Sequence, residues 1–385
     1  MNTIYLDNAA TSFPKPDDVS AAVCDYINNV GATINRSVYN SAHSAELVAL
    51  EVREMLCRLF NMNNPAYAIF TSGATASLNM AIKGFLHTGD HCIISSMEHN
   101  AVMRPLQQLT QNGISFTRVI CDVDGTLSPN DILPLIKDNT RLLVMAHGSN
   151  VCGTVQDAKA IGKICKAHNI AFVLDAAQTA GHYPIDFAEF GLSALAVPAH
   201  KGLLGTSGLG ALLMTQAFAE SLTPLIAGGT GSASDSELLP QYMPDRFESG
   251  TPNMPGIYGL HSSLDFILHK GISALRAHEL ELTSQFLNGI CDIDGVHLCG
   301  TKDLKRRVGV ISLDFAAIDN AKVSFRLENE FGILTRCGLH CAPSAHKTLG
   351  TFPRGTVRFS FGFNNTSADI SAALIAIKTI CAIKT

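Results

Sequence analysis

Several things are missing from this chain of 385 residues, and each absence removes a class of function. It has no cluster of lysines or arginines, and its formal net charge is −5, so it lacks the basic footprint of a nucleic-acid partner. No uninterrupted apolar run approaches the ~20 residues of a membrane-spanning helix, although the mean hydropathy of +0.19 is high for a chain outside a membrane. The first residues show no basic segment followed by an apolar stretch, because Asp7 and Asn8 come too early for a secretory signal. Eleven cysteines include no Cys-x-x-Cys pair. An odd count without regular spacing argues against a disulfide framework and against a zinc or other metal site. The expectation is a cytoplasmic protein with reduced thiols and no nucleic-acid, membrane or metal partner. Cys57, Cys92 and Cys165 lie in apolar segments and read as inert core residues.

What is present is a long alternation of strand-like and helix-like segments. Strands are expected over 66–71, 92–95, 116–119, 142–146, 171–174, 194–197 and 211–214, with helices over 74–86, 102–110 and 158–166 between them. Repetition of β then α indicates a mainly parallel sheet covered by helices. The pattern changes after Pro252-Asn253-Met254-Pro255. A helical stretch over 257–287, with Gly271 as a possible break, precedes strands over 308–313 and 357–361 and a final helix over 368–381. That is the pattern of a smaller α+β unit, and the length allows two domains.

Two of the strand-like runs end in chemistry. Phe172-Val173-Leu174 delivers Asp175-Ala176-Ala177-Gln178 to the carboxyl edge of a sheet, and the run 194–197 leads to His200-Lys201. A lysine amine can form a Schiff base with an aldehyde cofactor, and a buried carboxylate can keep a pyridine nitrogen protonated; together they suit pyridoxal 5′-phosphate (PLP). Alone, an aspartate that ends a strand is more often a loop cap; the two motifs together, in this order, favour PLP.

Five further clusters bear on that site. Thr71-Ser72-Gly73-Ala74-Thr75 is a small-residue turn at a helix start, where free N–H groups and the Thr75 hydroxyl can cradle phosphate; an ordinary capped helix is the alternative. Glu98-His99-Asn100 follows a strand, so His99 can stack on a cofactor ring or relay protons, or simply cap a helix. Asn150, after Ser149, can bond a phenolic oxygen or a carboxylate, or serve as a turn residue. Phe247 to Asn253, with Gly250, Thr251 and Pro252, can be a binding loop or a structural turn. The last is Arg336-Cys337-Gly338-Leu339-His340-Cys341-Ala342-Pro343, with Arg358 downstream. A thiolate at Cys341 is a strong nucleophile, with His340 or Lys347 as cations that would lower its pKa; a packed, inert cysteine is the alternative. Arg358 alternates with Val357, Phe359 and Phe361, so it faces away from their apolar side as a carboxylate clamp or a solvated arginine.

Taken together with Tyr5-Leu6-Asp7-Asn8-Ala9-Ala10-Thr11, Ser149-Asn150-Val151 and His200-Lys201-Gly202, these pieces resemble the class V aminotransferase-fold PLP enzymes, in their cysteine desulfurase and selenocysteine lyase branch. The short loop before Cys341 is similar to the group II enzymes. The resemblance implies PLP fold type I, with a large domain over 15–255 and a small domain over 1–14 and 256–385 that carries the cysteine loop. It implies a homodimer that converts L-cysteine to L-alanine and passes the sulfur to Cys341 as a persulfide, then to an acceptor protein. Lys201 would hold PLP and move protons; Asp175 would meet the pyridine nitrogen, Gln178 the phenolic oxygen, and His99 the ring face. Thr75, beside Ala74, would bind phosphate with His200 and with Thr251 of the other subunit. Asn150, Arg358 and Arg336 would grip the substrate. The alternatives are a selenocysteine lyase or another C–S lyase releasing sulfide directly, an ordinary transaminase, and a catalytically silent scaffold.

Three departures stand out. Pro198 occupies the place where relatives carry a phosphate-binding hydroxyl, which Thr206 or Ser207 would then have to replace. Tyr39, after Arg36-Ser37-Val38, stands where desulfurases often have histidine, and Ala74 where many relatives have threonine. A second His-Lys pair, His346-Lys347, lies in the cysteine loop rather than after an apolar run, and is rejected as the Schiff-base lysine.

Overall fold

The computed structural model describes residues 3–34 and 39–382. A two-residue strand, Ile4–Tyr5 (β1), opens the chain, and seven strands then build the large sheet: Ala68–Thr71 (β2), His91–Ser95 (β3), Ser115–Val119 (β4), Thr140–Ala146 (β5), Ala171–Asp175 (β6), Ala194–Pro198 (β7) and Gly210–Met214 (β8). Their order is β2-β8-β7-β6-β5-β3-β4, with β8 antiparallel to both neighbours and the other pairs parallel.

Every position of β3, β7 and β8 is buried, which is why these strands read as continuous apolar runs. Successive residues go to opposite faces. Ile93, Leu143, Phe172, Leu174, Leu195 and Val197 join one core, whereas Ile94, Leu142, Val144, Val173, Ala194 and Ala196 join the other. Phe172 is fully buried, and such a side chain contributes about 1.5–3 kcal/mol through burial alone. Helices Ala74–Phe85, Asn100–Leu109 and Ala158–Ala167 lie between strands, close to their expected places.

The long helical stretch is two helices, Met254–Lys270 and Ile272–Ile290, parted at Gly271 with φ of 80°, a conformation that favours glycine. Ile257, Leu260, Leu264 and Ile267 of the first belong to the core of the large sheet. The second sheet has the order β12-β13-β10-β9, built from Val296–Cys299 (β9), Val310–Phe315 (β10), Arg336–Gly338 (β12) and Thr356–Ser360 (β13), all antiparallel. Ile333–Leu334 (β11) pairs in parallel with β1, and Asp7 bridges to Ser360, so the N-terminal residues lie against the C-terminal strands. Helix Ser367–Ala382 closes the chain. The architecture is the expected α/β arrangement: a mixed, mainly parallel sheet covered by helices, with a smaller α+β portion. Unanticipated were helices Asp17–Asp25, Asn40–Phe60, Gln216–Ser221, Asn320–Phe331 and Pro343–Thr348 and strands β1, β9, β11 and β12. Among the described residues, no helix is long and apolar enough to cross a membrane.

Candidate active site

Five loops leave the carboxyl ends of β2, β3, β5, β6 and β7 and surround one hollow of about 400 Å³. They bring Ser72 to Thr75, His99, Asn150, Asp175 and Gln178, and Pro198, His200 and Lys201 to its wall, with Ser207 and Gly208 from beyond. Residues spread over more than a hundred positions meet there because parallel strands align their ends on one edge.

The start of helix Ala74–Phe85 has no side-chain cap. Its first N–H groups and the positive end of the helix dipole therefore face the hollow. Gly73 begins it with φ of 137°, which favours glycine, and a Cβ on Gly210 of β8 would come within 2.7 Å of the Gly73 Cα. The Nδ1 atom of His200 is buried in the same wall without a partner. Free amides and an orphaned ring nitrogen suit an anionic group such as a phosphate. Pro198 ends β7 and lines the hollow without offering a hydrogen; Ser207 lines it too, while the Thr206 hydroxyl is buried without a partner and outside the lining.

Electrostatics in the hollow follow from burial. Asp175 accepts a hydrogen bond from the Ala177 N–H at 2.9 Å through Oδ1, and burial still raises its pKa, against the pull of Lys201. Burial lowers the Lys201 ammonium to about 8, with Asp175 opposing and Arg358 and Arg336 adding to the fall. His99 caps helix Asn100–Leu109 by accepting from the Ala101 N–H at 3.0 Å through Nδ1. Burial, then the charges of Lys201 and Arg104, lower it to about 4, so the ring is neutral with its proton on Nε2. Gln178 is fixed by donating from Nε2 to the Ala9 carbonyl at 3.0 Å.

Arg358 is only 3 % exposed, which excludes a solvated strand arginine. Its Nη1 donates to the Asn150 carbonyl at 3.1 Å and its Nη2 to Asp7 at 2.7 Å, while Asn150 donates to the His340 carbonyl at 2.6 Å. Val357, Phe359 and Phe361 pack into the small-sheet core, as their alternation with Arg358 requires. Arg336 is half-exposed and donates from Nε to Asp7 at 3.0 Å.

Cys341 is exposed and lines a cleft with Thr75, Asn79, His99 and Ala101, four residues that also line the Lys201 hollow. The thiol thus stands at the mouth. His340 and Cys341 both have positive φ, 47° and 57°, a strained pair for residues with side chains. Asn150 on the His340 carbonyl and the Asn100 N–H on the Cys341 carbonyl, at 2.8 Å, hold that turn from the large-sheet side. The expectation of a cationic His340 beside the thiol is corrected by the structure. Burial and Arg358 lower His340 to about 2, so it is uncharged at neutral pH, and the Lys347 ammonium lies over the Phe352 ring at 5.1 Å. Cys337, half-buried, has its thiol pushed up by burial, and Cys57 and Cys165 are pushed to about 11 and 12.

Thr251 is not brought to the Lys201 hollow of its own chain. It lines a neighbouring one that shares Ser72, Ala76, Asn79 and Gly208. Tyr39 is half-exposed at the start of helix Asn40–Phe60 and does not line the site, while Arg36, Ser37 and Val38 lie outside the described residues.

Three residues near the site had no role assigned from the sequence. Asp7 bridges the two arginines. Lys15 donates to the His200 carbonyl at 2.7 Å, where Thr11 Oγ1 and the Ser12 N–H also point, both at 3.0 Å, pinning the peptide before Lys201. Glu98 is fully buried, accepting from Ser95 Oγ at 2.5 Å and the Ala146 N–H at 3.0 Å, and so ties the end of β3 to the end of β5. Burial raises its pKa to about 8. A raised acid favours the fold when protonated, so its contribution is complete below its unfolded value and is lost as pH rises towards 8. Glu98→Gln keeps the shape without the titration. Its melting temperature relative to wild type is expected to be higher at pH 8 than at pH 5 by about 2–4 °C. A pH-independent gap in thermal melts would disprove this.

The family model described as Aminotransferase class-V matches residues 4–373. A probable cysteine desulfurase of Methanothermobacter thermautotrophicus is 32% identical over 371 residues, covering 95% of this chain and 92% of that one. Another, from Halalkalibacterium halodurans, is 31% identical, covering 96% and 91%. Among solved structures, the apo cysteine desulfurase of Thermococcus onnurineus superposes with a TM-score of 0.92 at 29% identity, over 98% of this chain and 94% of that one. The cysteine desulfurase CsdA of Escherichia coli gives 0.89 at 26%, over 100% and 96%. With strand ends, lysine, aspartate and cysteine loop placed as described, the chain belongs to the cysteine desulfurase branch of the class-V aminotransferases.

Proposed function

We propose that this chain is a PLP-dependent cysteine desulfurase that converts L-cysteine to L-alanine and carries the sulfur away on Cys341. The observation that carries the reading is the exposed Cys341 thiol at the mouth of the hollow that holds Lys201 and Asp175. The residues fit PLP: uncapped amides after Gly73, Thr75 and His200 for the phosphate, Asp175 for the pyridine nitrogen, Gln178 for the phenolic oxygen, His99 for the ring face and Lys201 for the aldehyde. PLP, when bound, supplies an electron sink for the bonds at the substrate Cα.

Around it, the protein binds, orients and moves protons. Arg358, buried, would take the substrate carboxylate with Asn150 and the half-exposed Arg336. The Lys201 amine, lowered towards neutrality by burial, would take the proton held at the substrate Cα and hand it back during turnover. His99 can donate from Nε2 and cannot compete as a cation. The C–S bond of the substrate breaks while an S–S bond forms to Cys341 Sγ, leaving L-alanine and a persulfide. A thiol reductant then cleaves the S–S bond, is itself oxidised, and releases sulfide. Thr251, in the adjoining hollow, would complete the phosphate site of a second copy, supporting a homodimer. Free cysteines suit a reducing compartment such as the cytoplasm, and a persulfide on the exposed Cys341 would be open to a sulfur-acceptor protein.

The test is to incubate the PLP-loaded protein with L-cysteine and measure L-alanine and sulfide with and without dithiothreitol. Equal amounts of both, with sulfide dependent on the reductant, are expected. Absence of alanine, or turnover only with an added keto acid, would overturn the proposal.

A further inference from the structure

Arg336 on β12 and Arg358 on β13 are direct cross-strand partners. Like charges opposite one another in a sheet repel, and here one of them is almost fully buried. The carboxylate of Asp7, itself 9 % exposed, lies between them, with Oδ1 on Arg358 Nη2 at 2.7 Å and Oδ2 on Arg336 Nε at 3.0 Å. Two guanidiniums and one carboxylate leave a single positive charge. Arg358 has committed Nη1 to the Asn150 carbonyl and Nη2 to Asp7, yet its Nε is buried without a partner. The Arg358 Nε donor and one net positive charge therefore remain for a ligand, beside the Nη groups of the half-exposed Arg336.

We infer that Asp7 is a positioning residue that sets the charge of the substrate-carboxylate subsite. It holds the two arginines side by side and restricts the site to amino acids bearing one carboxylate. A second anionic group on the substrate meets no uncompensated cation, because Asp7 has already taken it. This rests on the PLP-dependent reading above, since it takes Arg358 as the carboxylate clamp.

The test uses three amines titrated into the PLP-loaded protein and followed by the cofactor absorbance: ethylamine, L-alanine and L-aspartate, with zero, one and two carboxylates. In wild type, L-alanine should bind more tightly than L-aspartate. In Asp7→Asn the subsite gains one net positive charge, and the affinity for L-aspartate relative to L-alanine is expected to rise about tenfold with ethylamine unchanged. The double variant Asp7→Asn/Arg336→Gln restores the net charge and should return the ratio to the wild-type value, which guards against the single variant failing to fold. An unaltered ratio in Asp7→Asn, an equal change for all three amines, or no return in the double variant would overturn the role of Asp7. A wild-type protein that shows no spectral response to ethylamine or L-alanine would instead remove the PLP reading and this inference with it.

Discussion

Lys201→Ala is expected to abolish turnover of L-cysteine, by at least about 10³-fold, because it removes both the covalent anchor and the proton carrier. Borohydride treatment of wild type should fix a pyridoxyl group at Lys201, visible in the mass of the peptide that contains it, and the variant should show none. The fold should persist. The peptide before Lys201 is held through the His200 carbonyl by Lys15, Thr11 and Ser12, and none of these bonds uses the Lys201 side chain. Truncating the chain also relieves the cost of enclosing an ammonium that burial has already lowered to about 8. A variant that still labels, at His346-Lys347 or elsewhere, would mean the wrong lysine has been assigned.

The second large effect is expected at Cys341. Cys341→Ala should lower reductant-dependent sulfide release on the order of 10³-fold, while the cofactor stays bound with the wild-type absorbance. The separation follows from geometry. Cys341 lies on the rim, and its contact with the large-sheet loops runs through its carbonyl to the Asn100 N–H, which alanine retains. The positive φ at 341 is tolerated no better by alanine than by cysteine, so the turn should hold its shape. Unchanged sulfide release by the variant would make the protein a direct C–S lyase and leave Cys341 without the carrier role. Loss of cofactor binding along with activity would place the thiol within the cofactor site instead.

The legible parts of this molecule were those written locally. Runs such as 172–174 and 194–197 announced buried strands, and the residues just after each run had to appear at a strand end. Asp175, Gln178, His200 and Lys201 could therefore be placed together without coordinates. Gly73 and the small residues around it marked a helix start for the same reason. Helix Asn40–Phe60 escaped because its buried face leans on Ala42, Ala45 and Ala49, whose weak hydrophobicity hides the period. Strands of two to four residues, such as β1 and β12, are too short to show an alternation at all.

By itself, then, the sequence determined the α/β alternation, the strand-end chemistry and the family likeness, because each is carried by neighbours along the chain. Tertiary structure alone decided the rest. Asp7 reaches Arg358 across 351 positions, Asn150 reaches the His340 carbonyl across 190, and neither pairing has any local pattern. The charge state of His340 was equally out of reach. The residue beside a candidate nucleophile looked like a cation, yet the packing that encloses it removes its proton. Desolvation and the meeting of distant charges are properties of the folded interior, so only the fold could assign them.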